Sequence, residues 1–209
     1  LTVEYAGSAN VTEDSTTVQV KVVKGEADFA ATGSITAYGA GAKIDIVANE
    51  DVTGVVHVVN QLGIGVGTAF VVDGKGTFAF GGTALKPGAH SFRLLFAGSA
   101  AYEPADTSVD LQVTKANTTA MGAIAKTIKV GKTSTLTAKI SGKGFTVNGG
   151  VVTVKSGSKV VGKATVKNGV AKVKLAKFKK KGSVRLSVSY AGNTVATGST
   201  TTVKTVIKK

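Results

Sequence analysis
The sequence predicts an all-β chain built from repeated units, and three observations carry that prediction. The first is a stretch written three times. Leu1-Thr2-Val3-Glu4-Tyr5-Ala6-Gly7-Ser8 precedes Thr16-Thr17-Val18-Gln19-Val20-Lys21-Val22. Phe92-Arg93-Leu94-Leu95-Phe96-Ala97-Gly98-Ser99 precedes Thr107-Ser108-Val109-Asp110-Leu111-Gln112-Val113. Leu186-Ser187-Val188-Ser189-Tyr190-Ala191-Gly192-Asn193 precedes Thr201-Thr202-Val203-Lys204-Thr205-Val206. Tyr5 and Phe96 lie 91 residues apart, and Phe96 and Tyr190 lie 94 apart. A constant period of this kind marks one structural unit per copy. The second observation is strict alternation of apolar and polar residues inside each copy, the period of a half-buried strand. The third is composition: Val, Thr, Ala and Gly dominate, Trp is absent and Pro occurs only at 87 and 104. β-Branched residues favour pleated strands.

In each copy one strand face carries Leu1, Val3 and Tyr5, or Phe92, Leu94 and Phe96, or Leu186, Val188 and Tyr190. The following run alternates through Val18, Val20 and Val22, through Val109, Leu111 and Val113, or through Val203, Thr205 and Ile207. An Ala-Gly step opens the loop between them, where glycine frees the backbone. Each copy therefore reads as two antiparallel strands closing a unit. The ring position is Tyr, Phe and Tyr, so the middle copy needs no hydroxyl and the ring reads as a packing anchor.

The repeat divides the chain. Residues 1–24 read as the closing hairpin of a preceding unit, 25–115 as one full unit and 116–209 as another. Units this size suit immunoglobulin-like β-sandwiches of about 100 residues, so the expected fold is a tandem array of them. No cysteine is present, so no disulfide supports these units, which says nothing about compartment. A lone hairpin is marginal in water. Residues 1–24 then need the next unit, another copy of the chain by strand addition, or upstream sequence. Leu1 begins inside a strand, which suggests a fragment or a mature product of a longer chain. No apolar run is long enough to span a bilayer.

Strands are expected near 28–31, 43–48, 54–60, 68–72, 76–81, 91–96 and 107–114. The second series is 118–124, 134–140, 150–155, 159–166, 169–175, 183–190 and 199–207. Asp73-Gly74-Lys75-Gly76 has the chemistry of a hairpin turn, and Leu85-Lys86-Pro87-Gly88 that of another. Gly54-Val55-Val56-His57-Val58 matches Gly150-Val151-Val152-Thr153-Val154. Lys167-Asn168-Gly169 is set against Gly74-Lys75-Gly76, and Lys180-Lys181-Gly182 against Lys86-Pro87-Gly88. Gly63-Ile64-Gly65-Val66-Gly67 has the glycines of a phosphate loop, but that motif needs a following helix. Thr68-Ala69-Phe70-Val71-Val72 reads as a strand, so a plain loop is expected.

The net charge of +14 conceals an asymmetry. Residues 1–115 hold 7 Lys and Arg against 12 Asp and Glu, a net −5. Residues 116–209 hold 19 Lys and Arg and no acid. Such a division suggests an anionic partner for the basic half. Lysines also keep sheet faces soluble, and both readings stand. The candidate anion-binding lysines are Lys155, Lys163, Lys167, Lys172, Lys174, Lys177, Lys179, Lys180 and Lys181, expected as one stripe. Its partner would be a cell-wall polymer or nucleic acid, bound in a salt-sensitive way without base reading, because Phe178 is the one ring nearby. Other copies of the chain, through residues 1–24, are the second partner considered.

Little supports catalysis. His57 and His90 are the only histidines, and neither has a second ligand at metal spacing. The basic half lacks Asp, Glu, His and Cys, the usual acid–base groups, and no nucleophile motif occurs elsewhere. Glu13-Asp14 and Glu103-Asp106 read as solvated loop charges, since calcium needs six or more oxygens. The expectation is no enzyme, no cofactor and no metal.

The pattern Tyr-Ala-Gly, a variable loop, then Thr-Thr-Val-x-Val resembles bacterial Ig-like repeat domains. Gly-x-Val-x-Val and Gly131-Lys132-Thr133-Ser134-Thr135-Leu136-Thr137 add to that resemblance, which covers essentially the whole chain. The antibody-type tryptophan and cysteine pair are missing. The resemblance implies a secreted or surface location and a role as stalk, spacer, adhesive module or enzyme appendage. A fold does not choose among these.

Overall fold
The hairpin written three times forms three times with one register. Tyr5 pairs with Asp14, Phe96 with Ala105 and Tyr190 with Ser199, nine residues on in every case. The computed structural model describes residues 1–209 as eighteen β-strands and no helix. β1 (Thr2–Tyr5) and β2 (Asp14–Thr17) stand alone as a two-stranded sheet.

The next eight strands are β3 (Ala30–Gly33), β4 (Ile35–Ala37), β5 (Lys43–Val47), β6 (Gly54–Asn60), β7 (Gly65–Val72), β8 (Lys75–Ala79), β9 (Gly88–Phe96) and β10 (Ala105–Thr114). They hydrogen-bond in the order β3-β5-β8-β7-β6-β9-β10-β4. Only two residue pairs, Val71 with Gly76 and Val72 with Lys75, join β7 to β8. The order is therefore two layers, β3-β5-β8 and β7-β6-β9-β10-β4, hinged at one tight turn.

The last eight strands repeat that plan: β11 (Thr118–Ala123), β12 (Thr127–Lys129), β13 (Ser134–Gly142), β14 (Val151–Ser156), β15 (Lys159–Thr165), β16 (Val170–Leu175), β17 (Gly182–Tyr190) and β18 (Ser199–Lys208). Here the layers are separate sheets, β11-β13-β16 and β12-β18-β17-β14-β15. Leu136, Ile140 and Val173 from one sheet meet Val154, Leu186 and Val188 from the other in one apolar cluster. Ile44, Ile46, Val56, Leu94 and Leu111 form the corresponding cluster in the earlier group. Two sheets with apolar inner faces bury them against one another.

The repeated ring anchors each cluster. Phe96 is 2% exposed and Tyr190 1%. Each lies over a glycine at the start of the neighbouring strand, Gly54 in β6 and Gly150 just before β14. A Cβ on Gly54 would stand 2.9 Å from Phe96 Cε2, and one on Gly150 2.6 Å from Tyr190 Cε2. The Gly-x-Val-x-Val motif thus begins with glycine where a ring occupies the space of its side chain; at Gly150 the Gly192 carbonyl and a φ of +73° favour glycine as well. Tyr190 Oη donates to Gly149 O at 3.2 Å, whereas Phe96 stacks on Phe29 at 6.0 Å.

Several expectations change. The run 18–22 forms no strand; β2 covers Asp14–Thr17, and the hairpin's apolar residues face solvent. Val18, Val20 and Val22 have the alternation of Val109, Leu111 and Val113, but no opposing layer receives them. The strand expected at 28–31 runs from Ala30 and breaks at Ser34. β3 pairs with β5 in one layer, and β4 crosses to pair parallel with β10 in the other. β11 and β12 divide in the same way between β13 and β18. Alternation does not reveal a change of partner. β7 starts at Gly65, so the glycine-rich segment is half strand. In the tight turns Asp73-Gly74 matches Asn168-Gly169, two residues away from the pairing read in the sequence. All four have positive φ: 49°, 72°, 47° and 76°, the mirror-image turn that suits strand twist.

Equivalent positions should therefore differ sharply in energetic weight. Leu94 is 0% exposed and its counterpart Val3 is 54% exposed. Leu94→Ala should cost about 2–5 kcal/mol in urea unfolding, whereas Val3→Ala should stay within about 0.5 kcal/mol.

Candidate functional site
The lysine candidates do not form one stripe. Lys155 and Lys163 stand on the outer face of the five-stranded sheet, where they and Thr153, Ser187, Ser189 and Thr200 line a shallow depression. Lys172 and Lys174 lie on the other sheet, cross-strand from Thr137 and Thr135. Lys167 sits in the β15–β16 turn, beside the Asn168 amide that donates to Asn148 Oδ1. Asn193 Nδ2 also donates to Asn148 O, and Lys115 Nζ donates to Asn193 O. That places Lys167 at the end of the strand group facing residues 1–115.

Lys177, Lys179, Lys180 and Lys181 lie at the opposite end, in the loop joining β16 to β17. There Lys159, Lys177, Lys179 and Lys180 surround an open concavity of about 370 Å³ floored by Val161, Phe178 and Val184. The topology adds lysines that sequence order did not suggest. Gly131 N donates to Phe178 O, which brings the β12–β13 loop, with Lys129 and Lys132, alongside. Lys129 is paired with Lys208 across β12 and β18. The signal for this grouping was the parallel pairing of β12, a strand the sequence reading missed.

No acid stands near these groups to neutralise them. The chain's one ion pair is Arg93 with Asp106, at 2.9 Å and well exposed. An exposed pair of this kind contributes roughly 0–1 kcal/mol. Asp106 is therefore engaged with Arg93 rather than poised beside Glu103. No three His, Cys, Asp or Glu side chains lie close enough to hold a metal ion. His57 is exposed on β6, cross-strand from Thr68. His90 shares a hydrogen bond of 2.7 Å between Nε2 and Lys86 O.

A second constellation lies between the two strand groups. Tyr38 and Phe145 meet edge to face with centroids 5.0 Å apart. Beside them the backbone of Gly39 abuts Lys143 and Gly144. A Cβ on Gly39 would collide with Lys143 O, and one on Gly144 with Gly39 O. Their φ values, +93° and +78°, are also those that favour glycine. The join itself is short: Ala116 N donates to Val195 O and Thr197 N to Ala116 O. Gly25 makes the same pair of bonds to Ala101 and Glu103 at the start of the earlier group.

Two tyrosines titrate abnormally. Tyr102 Oη donates to Asp51, and that hydrogen bond is the main reason its phenol is held above the usual tyrosine value; burial and the charges of Asp51 and Asp28 act the same way. Burial alone raises Tyr190.

No protein-family model matches the sequence, and no curated protein matches it. Solved structures do. Fibronectin(III)-like modules of Clostridium thermocellum CbhA are 16% identical, covering 86% of this chain and 94% of theirs, with a TM-score of 0.36. The D0-D1 domain of intimin is 19% identical, covering 85% and 97%, with a TM-score of 0.30. A three-Ig segment of titin is 11% identical, covering 87% and 64%, with a TM-score of 0.35.

The tyrosine environments give a direct test. A raised phenol pKa means that the folded state favours the neutral ring. That contribution is complete below the unfolded value of about 10 and is lost as the pH rises through the folded value. Ultraviolet difference titration should show two phenols ionising late. Asp51→Ala should return Tyr102 toward the ordinary range and leave Tyr190 raised.

Proposed function
We propose that this chain is a non-catalytic structural module, a spacer or adhesion segment of a secreted or surface-attached bacterial protein. In this reading residues 25–115 and 116–209 are immunoglobulin-like sandwiches set end to end, and 1–24 is the closing hairpin of a preceding one. The observation that carries the reading is the contact between Gly39 and Gly144. Backbone against backbone leaves little freedom to swing, and the Tyr38–Phe145 pair adds about 0.5–1.5 kcal/mol beyond its buried area. A spacer holds its length only if its joints resist bending. Matching hydrogen bonds at Gly25 and Ala116 support a joint built the same way each time.

A second reading rests on the charge of 116–209, where 19 basic residues have no acid to pair with. It makes the basic half an accessory that binds an anionic polymer, with the lysines set out above as the contact groups.

The joint is testable by distance distributions between spin labels, one on each strand group. The native chain should give one narrow distribution. Gly144→Ala forces the two backbones apart and should broaden it, while the unfolding of each group is preserved. An equally narrow, unshifted distribution in that variant would contradict a rigid joint.

A further inference from the structure
The backbone hydrogen bonds of the two strand groups match at their ends, and the side chains there differ. In the first group Tyr38 N donates to Thr114 O, Gly39 N to Gly82 O and Ala40 N to Ala37 O. In the second, Val130 N donates to Lys208 O, Gly131 N to Phe178 O and Lys132 N to Lys129 O. The three bonds correspond one to one. The end of the second group is thus the counterpart of the surface by which the first group abuts Gly144 and Phe145.

The backbone is kept and the side chains are exchanged. Ala37, Ala40 and Thr114 become Lys129, Lys132 and Lys208, and Gly82 becomes Phe178. Gly39 is covered by Lys143 and Gly144, whereas nothing lies within 4 Å of a Cβ placed on Gly131. An uncharged surface of Ala37, Tyr38, Gly39 and Ala40, whose glycine receives another backbone closely, has become an open cationic end. Bringing the like end of another unit onto these ammonium groups would cost desolvation without any acid to compensate.

We propose that this end is a phosphate-binding site for a flexible polyanionic chain, resting on the reading that the basic half binds anionic polymer. The concavity bordered by Lys159, Lys177, Lys179 and Lys180 accepts one strand, and its floor of Phe178 and Val184 keeps the ammonium groups at the rim, where they meet the phosphates. Lysine serves as a mobile point charge and does not impose the planar geometry of arginine. The site therefore takes closely spaced phosphates without reading what joins them. Each neutralised phosphate releases a counterion, so binding is steeply salt-dependent. The module is then held by its tip, with its long axis leading away from the polymer.

The test uses the full chain and inorganic polyphosphate of defined length across a salt series. One variant replaces Lys177, Lys179 and Lys180 by Gln at the end. The other replaces Lys115, Lys139 and Lys143 by Gln near the opposite end, where Phe145 meets Tyr38, removing the same charge. All six side chains are exposed, so thermal unfolding should be unchanged in both. The end variant should bind about tenfold or more weakly at low salt, with the slope reduced by about 2. The opposite-end variant should match the native chain within about twofold, since exposed charges beyond a screening length contribute little. Equal losses in both variants would overturn the end site and leave binding by the basic half in place. No binding by the native chain at low salt would remove both. Retention by anionic phospholipid vesicles but not by polyphosphate would replace the polymer with a membrane surface and overturn the proposal.

Discussion
An aromatic ring lying over a glycine closes each strand group, and the rest of the structure depends on it. Phe96 and Tyr190 end the strands that pair with β6 and β14, and they fill the space that a side chain on Gly54 or Gly150 would need. That contact sets which residue of β9 stands beside which residue of β6. Once set, strict alternation sends Leu94 and Leu186 inward and Arg93 and Arg185 outward, since a one-residue slip would invert every side chain. The inner faces then require a second layer. Where that layer is present the hairpin is core; at β1 and β2, where none covers it, the same pattern leaves Leu1, Val3 and Tyr5 in solvent.

This explains how much of the fold the residues alone reveal. Alternation and turn chemistry report local facts: the period of a strand, and the left-handed pair at Asp73-Gly74. They identified the closing strands and the ring as an anchor. They did not report partners. The passage from β3 to β4 is not legible in the sequence: a strand is expected near 28–31 only, and the mostly small residues of 30–37 carry no alternation to mark the strand that changes layer after Ser34. Ser34 manages the switch by accepting the Lys43 amide on its hydroxyl at 2.8 Å, something its identity alone does not reveal. Residues 18–22 failed as a strand for the converse reason: the pattern is right, but burial is what rewards it.

The lysines show the same boundary. Lys172 and Lys174 were correctly placed on one strand face by alternation. Lys155 and Lys163 were joined to them by nearness in strand order along the chain, and the two sheets separate them. Lys129 and Lys208 are far apart in sequence and adjacent in space, because β12 pairs parallel with β18. A charge cluster assembled by a parallel pairing leaves no short-range trace.

The most direct measurement of the account is hydrogen exchange resolved by residue. It separates the three copies of one sequence pattern by whether a second layer covers them. Amides of Leu94, Leu111, Leu186 and Val188 should exchange only on unfolding of their strand group, and those of Val3 and Thr16 by local opening at a rate near that of free chain. Equal protection in β1 and β2 would contradict the account, because hairpins with and without a covering layer would then be equally secure.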